Sequence, residues 1–278
     1  GAEAKEIEPH VNAKSAILVP EEGIADYGRV CATLEILLIE AGADIVTGAE
    51  VRLLERRSSL WRITTNSGVF ESRMIVNCAG LHSDRIVTMA GGDPGCRIVP
   101  FRGEYHRLKP EREHLVRHLI YPLPEPGFPF LGVHFTRRIG GGIDAGPNAV
   151  LAFAREGYDL ATINLMDLRS ALTFSGLWCF VAKHPHMVAR ELGQSFDRRR
   201  FLTALQRLVP EISDQDLVPS GSGVRAQAMN ARGQLINDFV WSQSPGAIHV
   251  INAPSPAATA SLVIGKEIAI QVRNQLVS

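Results

Sequence analysis

The chain has 278 residues, of which 45% are hydrophobic and 21% charged, and its formal net charge is zero. This balance is typical of a globular protein with a sizeable core, and it argues against a surface that binds nucleic acid. No apolar run approaches the ~20 residues of a membrane span, and the opening residues lack the basic start and apolar centre of a signal peptide. The four cysteines lie far apart without metal-binding spacing. We therefore expect free thiols in a reducing cytoplasm and no metal.

The first third of the chain mixes strands and helices. Asp26 is a good N-cap for an amphipathic helix from Tyr27 to about Ala41. Short strands are predicted at residues 15–19, 44–47, 50–54, 60–65 and 68–71, with a hairpin turn at 66–68. Residues 74–80 are predicted to form a buried strand that ends on small residues before a helix beginning near Ser83. Such an ending permits close approach to a ligand at the carboxyl edge of a parallel sheet.

The middle of the chain changes character from residue 97 onward. A long strand at 98–108, a proline-rich bend at 121–129 and strands at 130–136 and 143–148 predict an antiparallel platform. Residues 159–208 are the most helical region, with interruptions predicted at His184-Pro185 and at Gly193. These patterns divide the chain into a mixed α/β part, residues 1–95 and 218–278, and an inserted platform with helices, residues 96–217.

Two phrases near the end of the chain are the most informative. In residues 222–227, small neighbours do not crowd Arg225, whose guanidinium can meet a carboxylate as a planar two-toothed fork. The alternative is a surface ion pair. Residues 252–259 follow a strand at 247–251 and open a helix, with Ser255 as N-cap and Pro256 at the first helical position. The small residues after Pro256 leave backbone N–H groups accessible to an electron-rich atom. An ordinary capped strand–helix junction is the alternative.

Two stretches match a dinucleotide fingerprint in its loose form. They begin at Gly140 and at Gly221. Neither is predicted to follow a buried strand and open a helix, so we do not expect either to hold a pyrophosphate.

Several phrases together resemble the FAD-dependent oxidoreductases of the D-amino-acid-oxidase type, and within that family the branch that oxidises L-2-hydroxyglutarate. The matching phrases are Gly23-Ile-Ala-Asp-Tyr27, Val76-Asn-Cys-Ala-Gly-Leu-His-Ser-Asp-Arg85, Arg97-Ile-Val-Pro-Phe-Arg-Gly-Glu-Tyr105, Ile120-Tyr-Pro122, Phe128-Pro-Phe-Leu-Gly-Val-His-Phe-Thr136, Gly146-Pro-Asn-Ala-Val-Leu-Ala-Phe153, Gly223-Val-Arg-Ala-Gln227 and Asn252-Ala-Pro-Ser-Pro-Ala-Ala-Thr259. They cover nearly the whole chain from about Glu6 onward, and their common order makes the resemblance specific.

The resemblance implies a mixed α/β fold: a Rossmann-like FAD-binding domain with an inserted antiparallel-sheet substrate domain. It implies hydride transfer from the alcohol carbon of a 2-hydroxy acid to FAD, with L-2-hydroxyglutarate giving 2-oxoglutarate, and an electron acceptor such as oxygen or a quinone. We expect a cytoplasmic protein; peripheral membrane contact and a homo-oligomer stay open. Oxidation of an amino acid such as glycine or sarcosine is an alternative reaction, and a cofactor-free binding module is an alternative of a different class.

The resemblance also assigns roles to residues. Arg225 matches the arginine that clamps the substrate carboxylate, and Arg102 or Tyr105 would meet the second carboxylate of a diacid. His134 is suited to taking the hydroxyl proton near neutral pH; the alternative is a structural histidine of the strand. The residues expected to approach FAD are Val51, Gly80, Leu81, Pro256, Ala257, Ala258 and Thr259.

One part of the family pattern does not occur in these 278 residues. The family has a strand, a GxGxxG turn and a helix that hold the FAD pyrophosphate, and this sequence contains no such unit. We therefore expect a piece of a longer protein or a shortened product, with weak FAD binding and a tendency to associate.

Overall fold

A computed structural model describes residues 1–123 and 132–277. The chain forms two compact units: residues 1–25 with 99–225, here called the platform unit, and residues 26–98 with 226–278, here called the α/β unit. The predicted division placed residues 1–25 and 218–225 with the second of these units, which differs from the observed grouping.

The elements follow one another along the chain with these bounds. The helices are α1 (Ala2–Ile7), α2 (Tyr27–Glu40), α3 (Ser83–Met89), α4 (Leu165–Leu172), α5 (Ser175–Lys183), α6 (Pro185–Phe196), α7 (Arg198–Gln206) and α8 (Ala257–Val277). The strands are β1 (Val51–Arg57), β2 (Leu60–Thr65), β3 (Val69–Ser72), β4 (Ile75–Asn77), β5 (Arg97–Leu108), β6 (His134–Arg137), β7 (Ile143–Gly146), β8 (Val150–Leu151), β9 (Leu217–Met229), β10 (Val240–Ser244) and β11 (Ala247–Asn252).

The platform unit is built on an antiparallel sheet, as the sequence predicts. Its strands are ordered β6–β7–β5–β8, and β9 also pairs with β5. Apolar side chains of this sheet pack against α7 and neighbouring segments. The most buried residues of this core are Leu108, Leu115, Val116, Phe135, Ile143, Ala145, Leu205, Val209 and Ile212. This core fixes the sheet whose strands supply the predicted substrate residues.

The first residues of the chain belong to the platform unit because they are bonded into it. Val11 joins its core. Glu8 is only 6% exposed, and its carboxylate accepts hydrogen bonds from the backbone N–H groups of Arg117 at 2.7 Å and His118 at 3.0 Å. The backbone N–H of Asn12 donates to the carbonyl of Leu208 at 2.7 Å. These long-range contacts explain why residues 1–25 group with the platform unit, whereas the sequence placed them in the mixed α/β part.

The α/β unit contains two small sheets. β1, β2 and β3 form an antiparallel sheet, while β10, β11 and β4 form a sheet in which β4 and β11 run parallel. Trp61 packs against Leu54 and Ala247 and donates its indole N–H to the carbonyl of Gly246 at 2.7 Å. As predicted, α2 begins after Asp26, whose side chain accepts the N–H of Arg29 at 3.1 Å.

Some predicted strands are wrong. Residues 15–19 and 44–47 form no strand, and their apolar side chains stay exposed; Ile17, for example, is 83% exposed. An apolar run becomes a strand only where a neighbouring strand can pair with it. Only Ile75–Asn77 of the predicted strand at 74–80 is extended, and Val76 is 42% exposed rather than buried.

Two predicted helix boundaries also need correction. α6 runs through Gly193 without a break. α8 begins at Ala257, and the carbonyl of Pro256 accepts its first helical bond, from the N–H of Ala260 at 3.1 Å. Pro256 therefore holds the N-cap position that was predicted for Ser255.

The two fingerprint-like stretches do not open helices. The fingerprint-like stretch at Gly140 forms the β6–β7 turn and the one at Gly221 lies inside β9, so neither opens a helix, as expected. Most of the proline-rich bend and the first two residues of the strand predicted at 130–136 lie outside the described residues. Within the described ranges, each helix is too short or too polar to cross a membrane.

Candidate active site

A cavity of about 320 Å³ in the platform unit brings together the predicted substrate residues. It is lined by Phe101, Arg102, Gly103, Tyr105, Gly132, His134, Pro147, Asn148, Ala149, Glu191, Gly223, Val224 and Arg225. Arg102 and Tyr105 lie close together on β5, while His134 and Arg225 are distant in sequence, so the folding of β5, β6 and β9 into one sheet is what gathers them. A cavity of this size suits a small organic ligand.

Strand register explains how Tyr105 and His134 come to share a face. His134 on β6 pairs with Gly146 on β7, and the β5–β7 register, His106 with Ala145, sets Tyr105 opposite Gly146. Cross-strand neighbours point to the same face. Gly146 has a φ of +134°, and a Cβ there would stand 2.8 Å from the carbonyl oxygen of Glu104. The glycine therefore keeps the space between Tyr105 and His134 free of a side chain.

The hydrogen bond of His134 fixes its tautomer. Its Nδ1 lies 3.1 Å from the carbonyl oxygen of Gly132, and because a carbonyl only accepts, Nδ1 must donate. In the neutral ring, Nε2 then carries the lone pair. The ring also packs against Tyr121, with centroids 4.8 Å apart and ring planes tilted by 38°. Desolvation lowers the pKa of His134, the bond to Gly132 opposes this, and the charge of Arg225 lowers the pKa further.

Arg225 and Tyr105 influence each other electrostatically. Arg225 lines the cavity and remains exposed, yet the protein packed around it lowers the pKa of its guanidinium through desolvation, against the opposing influence of Tyr105. An arginine guanidinium stays protonated in proteins, so Arg225 carries its charge at neutral pH. Burial raises the pKa of Tyr105, so its hydroxyl stays protonated and can donate a hydrogen bond.

Arg102 differs from Arg225 in its surroundings. It is 3% exposed and its Nη2 lies 2.8 Å from Oε1 of Glu104. The other carboxylate oxygen of Glu104 accepts a bond from Asn148 at 3.0 Å. Sequence reasoning missed Asn148, Tyr121 and Glu191. The signal for Asn148 was available in part, because an asparagine after Gly-Pro marks a turn whose side chain can bond to backbone.

The residues predicted to approach FAD lie in the α/β unit. β4 and β11 are parallel, and Val76 pairs with Ile248, so their carboxyl ends share one edge of the sheet. Gly80 follows β4 and the start of α8 follows β11. Ser83 donates its hydroxyl to the carbonyl of Ile251 at 2.8 Å, which fastens the start of α3 to the end of β11. Val51 begins β1, in the other sheet of the unit.

This edge fits a ligand that is held by main-chain N–H groups. Gly80 has a φ of +52° and open space where a Cβ would be, and Leu81 follows it in a short 3-10 helix. Pro256, Ala258 and Thr259 are exposed and Ala257 is half-buried. Ala258 and Thr259 stand in the first turn of α8, where an α-helix has no carbonyl four residues earlier within itself. Main-chain N–H groups at the start of a helix are of the kind that hold an electron-rich ligand atom.

Relatives of known activity match most of the chain. It is 44% identical over 264 residues to L-2-hydroxyglutarate dehydrogenase of Indibacter alkaliphilus. The matched region covers 95% of this chain and 66% of that protein. It is 42% identical over 277 residues to the Escherichia coli K12 enzyme of the same name, covering 99% of this chain and 66% of that protein. The chain therefore spans slightly less than two thirds of the length of these relatives.

Solved structures share the fold. L-α-glycerophosphate oxidase of Mycoplasma pneumoniae, determined with FAD bound, matches with a TM-score of 0.68 and 19% identity over 98% of this chain and 63% of that one. Glycine oxidase of Geobacillus kaustophilus matches with a TM-score of 0.64 and 18% identity over 98% of this chain and 61% of that one. At such identities the likeness concerns the fold alone.

A family model points the same way as these matches. The model described as DAO, FAD dependent oxidoreductase, matches residues 1–270. Together with relatives above 40% identity and a mixed α/β fold shared with FAD-binding oxidoreductases, this confirms the resemblance drawn from the sequence. The chain belongs to the DAO family of FAD-dependent oxidoreductases.

Proposed function

We propose that the protein oxidises L-2-hydroxyglutarate to 2-oxoglutarate with FAD as its cofactor. The observation that carries this proposal is the single cavity in which Arg225, Tyr105 and His134 meet. It offers a cation for a carboxylate, a hydroxyl donor and a neutral imidazole. The similarity to L-2-hydroxyglutarate dehydrogenases supports the choice of substrate.

Each residue has a task in this reaction. Arg225 would bind the carboxylate next to the reacting carbon through two parallel N–H···O bonds. Arg102 would meet the second carboxylate and Tyr105 would donate its hydroxyl proton in a hydrogen bond to the substrate. Nε2 of His134 would accept the proton that leaves the substrate hydroxyl as the carbonyl forms. FAD supplies the two-electron acceptor when it is bound.

In the α/β unit, we assign cofactor contacts to the edge formed by Gly80, Leu81 and residues 256–259, with Val51 as a further contact. The open backbone at Gly80 and the first-turn N–H groups of Ala258 and Thr259 support this assignment, whereas the N–H of Ala257 already donates to the carbonyl of Pro254 at 2.8 Å. The α/β unit would thus serve as the FAD-binding domain and the platform unit as the substrate domain.

Anaerobic mixing of the FAD-loaded protein with candidate substrates tests the function. We expect L-2-hydroxyglutarate to bleach the flavin absorbance, while the D enantiomer, glycine and sarcosine leave it unchanged. Bleaching by glycine or sarcosine instead would favour amine oxidation. A chain that takes up no flavin at all would favour the binding module without cofactor.

The electron acceptor is tested by reoxidation. After reduction by substrate, the protein is exposed either to oxygen or to a soluble quinone, and the return of flavin absorbance is timed. Faster return with quinone identifies a dehydrogenase, and faster return with oxygen identifies an oxidase.

A further inference from the structure

Arg102 stands in a wall between two cavities of the platform unit. The first is the substrate cavity of about 320 Å³ that also contains Arg225 and His134. The second, of about 430 Å³, is lined by Arg102, Glu104, Tyr105, His106, Asn148, Tyr158, Asp159, Leu160, Arg198, Phe201, Pro219, Gly221 and Ser222. Arg102, Tyr105 and Asn148 line both cavities. The wall between them is therefore made of polar side chains.

A carboxylate and an amide hold Arg102 in that wall. Nη2 of Arg102 lies 2.8 Å from Oε1 of Glu104. Asn148, itself 3% exposed, donates to Oε2 of Glu104 at 3.0 Å and accepts the N–H of Glu104 at 2.8 Å. Asn148 thus holds Glu104 through both its carboxylate and its backbone. The ion pair with Glu104 in turn holds the guanidinium of Arg102 in place.

The Arg102 guanidinium retains capacity for a further partner. It has five N–H donors, and among residues 1–123 and 132–277 Glu104 is the one hydrogen-bond partner of the guanidinium. Nε and Nη1 of Arg102 make no hydrogen bond within those ranges, and neither atom is fully buried. These donors are therefore open to the space of the cavities that Arg102 lines, and a carboxylate suits them.

The charges of the substrate cavity point to a ligand with two carboxylates. Two guanidinium groups, of Arg102 and Arg225, line a space of about 320 Å³. The carboxylate of Glu191 also lines it, but its Oε1 is paired with Nε of Arg190 at 3.8 Å and its Oε2 accepts the N–H of Ala149 at 3.0 Å. Arg225 stays exposed while Arg102 is buried, so Arg102 makes the less solvated and more selective of the two contacts.

We propose that Glu104 and Asn148 are positioning residues that hold Arg102 as the charged end wall of the substrate cavity. Resting on the proposed function, this assigns the preference for short 2-hydroxy diacids over monocarboxylic 2-hydroxy acids to the contact between Glu104 and Arg102. A guanidinium that is already ordered loses less side-chain entropy on binding a carboxylate. Without Glu104, Arg102 can turn toward the larger cavity, and the end wall loses its charge and its position.

The test uses the FAD-loaded protein and its Glu104→Gln variant, which keeps the shape of the side chain and removes its charge. We measure kcat/KM for L-2-hydroxyglutarate and for 2-hydroxybutyrate, and the Kd of glutarate and of butyrate by calorimetry. The ratio that favours the diacid should fall by about tenfold or more, mainly through KM, and glutarate should bind about tenfold more weakly. Butyrate binding should change little.

Matched variants separate positioning from general damage. Glu55→Gln removes the carboxylate of a similar strand pair, Glu55 with Arg57 at 3.1 Å on β1, and should leave the ratio unchanged. Glu104→Asp restores a carboxylate and should recover part of the diacid preference. Asn148→Ser breaks the bonds to Glu104 and should also lower the preference for the diacid. If thermal unfolding shows that Glu104→Gln does not fold, Asn148→Ser is measured in its place.

The outcomes distinguish this inference from the proposed function. An unchanged diacid ratio and unchanged glutarate affinity in a folded Glu104→Gln variant would overturn the inference. If the wild-type protein oxidises no 2-hydroxy acid, the proposed function fails. Weaker binding of glutarate in the variant would still support the role of Glu104 in that case.

Discussion

At the scale of single residues, Arg225 is the position where geometry matters more than charge. A lysine there keeps the positive charge but loses the planar fork, so Arg225→Lys should lower kcat/KM by about 2–4 kcal/mol of transition-state binding. Steady-state kinetics on FAD-loaded protein measures this. Arg138→Lys, at an exposed arginine in the β6–β7 hairpin that pairs with Asp144 at 3.4 Å, is the control. Equal kinetics for Arg225→Lys and Arg138→Lys would remove Arg225 from the substrate site.

His134 should behave as a base that works in its neutral form. His134→Gln should leave flavin content intact and slow anaerobic flavin reduction by about 10²–10⁴-fold. The control is His114→Gln, because His114 is exposed and its Nδ1 also lies at a backbone carbonyl, that of Glu111, at 3.0 Å.

The pH profile adds a second readout for His134. Desolvation lowers its pKa from the ordinary 6.5, so the neutral, proton-accepting ring persists to lower pH than a free imidazole would. The rate of flavin reduction should therefore hold as the pH falls to 6.5 and decline only below it. This acid limb should vanish in His134→Gln. A limb that persists unchanged in the variant would assign the titration to another group.

At the scale of elements, the contact between β5 and the segment after β7 is unusually close. A Cβ at Gly103 would stand 2.6 Å from the Cβ of Pro147 and 2.8 Å from the carbonyl oxygen of Asn148. Gly103→Ala should therefore destabilise the fold by about 1–3 kcal/mol through overpacking. Gly223→Ala is the control, since Gly223 lines the same cavity but has open space at its Cβ position. Denaturant unfolding of both variants measures the difference in stability. Equal unfolding midpoints for Gly103→Ala and Gly223→Ala would contradict the close contact at Gly103.

The sequence predicts many elements of this fold because their signals are local. The cap at Asp26, the hairpin turn at 66–68 and the helix start near Ser83 each depend on residues within a few positions. The strands predicted at 15–19 and 44–47 failed because pairing is not local. Val76 was predicted to be buried for the same reason: the apolar run says nothing about which neighbour covers it.

The candidate site was predictable by residue type but not by its arrangement. Arg225, His134 and Tyr105 came from a resemblance, and the structure brings them to one cavity. The residues that surround them could not be predicted from local sequence, because contacts such as that of Glu104 with Asn148 join positions 44 residues apart. The contact between the rings of Tyr121 and His134 likewise follows from the path of the backbone around β6.

At the scale of the whole molecule, α2 leaves an apolar surface in water. Within the described residues none of its side chains is buried, and its exposed apolar positions are Val30, Leu34, Ile36, Leu37, Leu38 and Ile39. Contiguous apolar surface of this kind favours association. We expect the mass measured by sedimentation of the 278-residue chain to rise with concentration.

Substitutions on α2 test the source of that association. Leu38→Glu puts a charge on the apolar surface and should shift the distribution toward the monomer. Thr33→Glu adds the same charge at an exposed polar position of the same helix and should shift it less. Equal effects of Leu38→Glu and Thr33→Glu would assign association to net charge rather than to the apolar surface.

The bonds of Glu8 and Asn12 have a consequence for how the chain is made. Glu8 meets its partner Arg117 across 109 positions, and the side chain of Asn12 meets the carbonyl of Arg207 across 195. A ribosome releases residues in order, so this opening segment emerges long before its partners and must wait, unfolded or held, until about residue 208 has left the exit tunnel. Closing loops of that length is slow compared with forming a local hairpin. The platform unit therefore completes its fold only after residue 208 has been synthesised.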